Sequence, residues 1–166
     1  MLWRDLRRLY SFHFQEEWRE RILMTAIGFA VTVAIVRSIT LMIRMGVGPF
    51  HNVTTNGGLH VHHLVWGILL LLAVGFVWML EIGVGSNWVA NLTAIAFGAG
   101  AALTLDEFAL WLNLSDVYWQ RQGRESLEAL AIFGALLAAG LVGWPFLRDL
   151  ALLLTRHKAD IGGAYE

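Results

Sequence analysis

Four apolar stretches account for most of this chain: roughly Ile22–Ile43, His60–Leu80, Trp88–Leu112 and Leu127–Leu147. Each is close to the ~20 residues that a helix needs to cross a hydrocarbon core. Inside a bilayer every backbone polar group must be satisfied within the protein, which leaves helices and closed barrels as the spanning structures. Runs of this length without alternation are helical. The composition agrees: 57% of the 166 residues are hydrophobic and 15% are charged, too apolar for an ordinary soluble domain. The expectation is an all-α polytopic membrane protein, a four-transmembrane-helix bundle forming one domain over residues 21–156.

Ahead of the bundle, residues 1–20 place Leu2, Leu6, Leu9 and Tyr10 near one helical face, with Trp3, Phe12, Phe14 and Trp18 suited to headgroup depth. That pattern predicts an interfacial amphipathic helix, with a solvated helical arm as the plain alternative. The first apolar run is too long for a cleavable signal and no small-residue cleavage site is evident, so it reads as an uncleaved anchor. Residues 157–166 read as a flexible tail. There is no cysteine, hence no disulfide or thiolate metal site, and a formal charge of −1 without a basic block gives no reason to expect nucleic acid.

Four spans put both termini on one side. That side carries Arg4, Arg7, Arg8, Arg19, Arg21, Arg148, Arg156 and Lys158, whereas the opposite loops carry Arg44, Arg121 and Arg124. By the positive-inside rule the termini are cytoplasmic. Small residues on the third span, Ala94, Gly98 and Ala102, allow close helix approach, and small residues on the spans also permit a homo-oligomer or a membrane protein partner.

Against this apolar background the ionisable groups stand out. Asp106 and Glu107 are adjacent in the third run, and Arg37 interrupts the first. A charge near the middle of a membrane helix costs about 2.5–3.5 kcal/mol on insertion scales, so such residues face the protein interior and meet a partner there. Arg37, the histidines His60, His62 and His63, and the two acids all fall toward the outer ends of their spans. They therefore converge on one leaflet as a polar cup, with Asp116, Tyr118 and Trp119 in the adjacent loop as a lid or, more plainly, as an aromatic belt.

Arg37 can neutralise one carboxylate; the other must be protonated, paired with a protonated histidine, or bound to a cation. His60 and His63 share a face if the stretch is helical, His60 and His62 if it is extended. Either pair with Glu107 or Asp106 supplies two nitrogens and a carboxylate, the ligand set of an open zinc or non-haem iron site. On that reading Asp106, Glu107 and Arg37 are catalytic, His60, His62, His63 and Glu107 hold the metal, and the reaction is hydrolysis or transfer on a lipid or lipid-linked substrate. A second reading makes the cluster a structural ion-pair network in a non-catalytic membrane subunit or binding protein. A third is proton or ion translocation, which would call for acids spread along the whole span.

The segments Gly58-Leu59-His60-Val61-His62-His63-Leu64-Val65-Trp66-Gly67, Leu103-Thr104-Leu105-Asp106-Glu107-Phe108-Ala109-Leu110-Trp111 and Asp116-Val117-Tyr118-Trp119 resemble a group of small bacterial multi-span membrane proteins. The resemblance covers roughly residues 57 to 130. It implies a bacterial inner-membrane location and carries no assigned activity.

Overall fold

A computed structural model describes residues 16–51, 61–114, 118–119 and 121–142. The described residues are helical and contain no strand: α1 Glu17–Met45, α2 His63–Met79, α3 Asn87–Asp106, the short α4 Phe108–Asn113, a 3-10 turn Arg121–Gly123, and α5 Arg124–Val142. Three of them, α1, α3 and α5, are long and apolar enough to cross a membrane, and α2 is a shorter apolar helix.

Several boundaries differ from the expectation. Positions 17–20, expected in the surface helix, form the opening turn of α1, because the helical pattern continues without a breaker; residues 1–15 lie outside the described residues, as does the 157–166 tail. At its other end α1 stops at Gly46, whose φ of +66° lets the Gly46 and Val47 amides reach the carbonyls of Ile43 and Met42. This is the Schellman arrangement that glycine favours. The second helix starts at His63, not His60, and the third expected span, read as continuous to Leu112, breaks at Glu107 into α3 and α4.

The central element is α3. It packs against α1 and α2, and its Ala101 and Ala102 join Phe29 of α1 and Leu130 of α5 in a small buried core. The glycines explain how close these helices come. A Cβ added to Gly98 would fall on the carbonyl oxygen of Thr25, and one on Gly100 would lie 2.9 Å from Leu71 and 3.1 Å from the Gly67 carbonyl oxygen. The small residues of α3 are thus used within the chain, as the expectation of close helix approach required.

Polarity runs opposite to that of a water-soluble protein. Ile27, Val31 and Ile35 of α1, Leu69, Leu72 and Phe76 of α2, and Ile132 and Leu136 of α5 are exposed, while Thr25, Thr93, Asp106, Glu107 and Ser126 are buried. Helices that are apolar outside and polar inside fit hydrocarbon as the surrounding medium.

Candidate functional site

The break at Glu107 is where the site is built. Asp106, the last residue of α3, has no exposed surface and Glu107 is 6% exposed. Each carboxylate oxygen meets a donor, drawn from α1, from the start of α2 and from Tyr118 in the loop after α4. Asp106 Oδ1 accepts Nε of Arg37 from α1. Asp106 Oδ2 accepts the Tyr118 hydroxyl at 2.8 Å and faces Nε2 of His63 at 3.2 Å. Glu107 Oε1 bonds Nδ1 of His62 at 2.7 Å, and Oε2 accepts the backbone N–H of Leu64 at 2.9 Å.

The last of these contacts explains why α2 begins where it does. His62, at the N-cap position, is extended and makes no side-chain cap, so the first-turn amides of α2 need an acceptor from elsewhere. Glu107 supplies it, and a carboxylate at a helix N-terminus also faces the positive end of the helix dipole. In the same way the buried Ser126 hydroxyl accepts the Ala109 N–H at 3.0 Å, satisfying an amide in the first turn of α4. Two helix starts therefore depend on side chains distant in sequence.

An ionised carboxylate only accepts, so each imidazole nitrogen bonded to one must donate. His63 has Nε2 on Asp106, and its Nδ1 lies 3.5 Å from Glu107 Oε2, so its ring sits between the two acids. Arg37 also lies 5.0 Å from the Tyr118 ring centroid, within cation–π range. The Tyr118 hydroxyl is 3.3 Å from Thr40 Oγ1. Burial pushes the ionisation of Tyr118 well above its ordinary value, and the neighbouring Asp106 charge acts in the same direction, so the phenol remains a donor.

Of the residues expected at the site, Arg37, His62, His63, Asp106, Glu107 and Tyr118 come together. His60 and Asp116 lie outside the described residues, so neither expected histidine pair is formed within them; the two imidazoles that meet the acids are the consecutive His62 and His63. A helix start makes this possible, since an extended residue and the helical residue after it can reach two acids that themselves straddle a helix break. Trp119 lies under the guanidinium of Arg44 at 4.2 Å and meets the Tyr118 ring edge-on. Among the described residues no group of three His, Cys, Asp or Glu side chains is arranged to hold a metal ion, and the zinc or iron set gains no support from them. The nitrogens of His62 and His63 described above are directed at carboxylate oxygens on two residues, not at one shared point.

Beside the cluster lies a cavity of about 550 Å³, walled by Val36, Ile39 and Ile43 of α1 on one side and by Val61 and Trp66 on the other, with His62, His63, Glu107, Tyr118 and Trp119 completing it. The opposite end of the bundle also has polar contacts, which the sequence reading missed. Asn91 donates to Glu20, the Trp78 indole donates to Thr93, and Arg19 donates to the Leu141 carbonyl. The apolar core of Phe29, Ala101, Ala102 and Leu130 lies between these and the acids.

No protein-family model, curated protein or solved structure matches this chain.

Proposed function

We propose that the chain is a four-span integral membrane protein of the bacterial inner membrane, with α2 as the fourth span and both termini cytoplasmic, and that it binds a ligand without transforming it. Arg37, His62, His63, Asp106, Glu107 and Tyr118 act as a clamp that ties α1, α2 and α3 together at one membrane boundary and forms the floor of the adjoining cavity. The observation that carries this reading is the saturation of the acids: all four oxygens of Asp106 and Glu107 accept a donor, one of them a helix-capping amide. A general base needs a carboxylate positioned on its substrate or on a water. These two are engaged in holding helices. Proton translocation is disfavoured by the apolar core that separates the cluster from the polar contacts at the other end.

A double-mutant cycle tests the clamp. Arg37→Met leaves the fully buried Asp106 without its arginine and is expected to destabilise the protein by about 3–5 kcal/mol, read by reversible unfolding in mixed micelles. Adding Asp106→Leu removes the orphaned charge and should recover at least half of the loss. Unchanged stability in Arg37→Met would sink the proposal. Stoichiometric zinc or iron that is lost on His63→Ala with the fold intact would favour the enzyme reading instead.

A further inference from the structure

We infer that the cavity beside the clamp takes the headgroup and the first methylenes of an anionic phospholipid, with Arg44 as the headgroup ligand. This deepens the binding reading above and rests on it.

Three observations point to such an occupant. The first is depth. At 1.5 Å per residue α3 is about 30 Å long, enough for the hydrocarbon core, and Asp106 marks its end. The 29-residue α1 is about 43 Å long, so it overhangs, and Arg37 to Met45 adds about 12 Å beyond the level of the acids. The cavity is built on that overhang, where headgroups lie. The second is its lining. Val36, Ile39 and Ile43, at i, i+3 and i+7, form one stripe of α1 that leads out to Arg44, so the wall changes from apolar to cationic in the direction in which a lipid changes from chain to head. Its volume is in the range of small-molecule sites.

The third is charge. Glu107 also borders the cavity, but its oxygens bond His62 and the Leu64 amide. Arg44 meets the face of Trp119 and, among the described residues, no carboxylate. The guanidinium is held in place by the indole with its N–H fork available, a geometry suited to phosphate oxygens. His51, also in the lining, bonds the Pro49 carbonyl through Nδ1. A carbonyl only accepts, so that nitrogen carries the hydrogen.

The test uses the full chain in nanodiscs containing equal amounts of phosphatidylglycerol and phosphatidylcholine, extracted into mild detergent, with retained lipid measured by native mass spectrometry. The expected result is about a tenfold preference for phosphatidylglycerol, the scale of one charge-assisted contact. Arg44→Gln should reduce it to parity and Arg44→Lys, which keeps the charge but not the fork, should retain only part of it, with the protein folded in both. Inorganic phosphate at millimolar concentration should not displace the lipid. Equal retention of both lipids, insensitive to Arg44→Gln, overturns the anionic assignment and leaves the binding reading standing. Displacement by free phosphate overturns the lipid assignment, and retention of neither lipid by folded protein counts against the binding reading itself.

Discussion

Tyr118 joins three parts of the structure, donating to Asp106, facing the Thr40 hydroxyl of α1 and lying under Arg37. Its raised ionisation has a definite sign. The folded protein keeps a phenolic proton that the unfolded chain releases near the ordinary value of 10.0, so this contribution to stability is intact below about pH 10 and is lost progressively as pH rises above it. In a Tyr10→Phe, Tyr165→Phe background, where Tyr118 is the remaining tyrosine, phenolate absorbance near 295 nm should stay low through about pH 11 in folded protein and appear on unfolding. Normal titration with the fold intact would place the hydroxyl in water. The pairing of Arg37 with an acid was legible in the sequence, because a deep arginine must find an anion. The inward turn of Tyr118 was not, because a tyrosine at a span's end reads equally well as belt.

At the scale of elements, the fold depends on how near α1 and α3 can come. Gly98→Leu must push the backbones apart at Thr25 and Phe29, and overpacking of this kind costs about 1–3 kcal/mol. Gly75 of α2 has open space around its missing Cβ, so Gly75→Leu should leave the midpoint of unfolding in mixed micelles nearly unchanged. Equal losses in the two variants would contradict the close contact. The stripe Ala94, Gly98 and Ala102 announced this interface, since only small residues permit it. The break after Asp106 had no such announcement. Neither Gly nor Pro stands there, and the break is stabilised by groups that arrive from elsewhere, the Leu64 amide on Glu107 and the Ser126 hydroxyl under Ala109. One sign was available: the start of the second helix has no Ser, Thr, Asp or Asn at its cap, so its acceptor had to be distant.

For the molecule as a whole, the topology proposed above makes a direct prediction. The chain contains no cysteine, so single cysteines can be introduced one at a time. Val47→Cys, in the exposed segment after α1, should react with an impermeant maleimide on intact cells, and Val84→Cys, in the exposed turn before α3, only after the inner membrane is opened. Labelling of both from one side would mean that α2 does not cross. The helical class and the long apolar helices α1, α3 and α5 could be read from hydropathy, because their apolar runs are long enough to specify themselves. Which polar groups meet between them could not, because that depends on the rotation of each helix about its axis.

The capping of the second helix by Glu107 also bears on how the protein is made. The Leu64 amide and its acceptor are 43 positions apart, so the start of α2 is synthesised well before the side chain that caps it. Until Glu107 arrives, that amide has to be satisfied by another acceptor such as water. A chain cut short between α2 and Glu107 would therefore keep its apolar run but lose the acceptor that fixes where the helix begins.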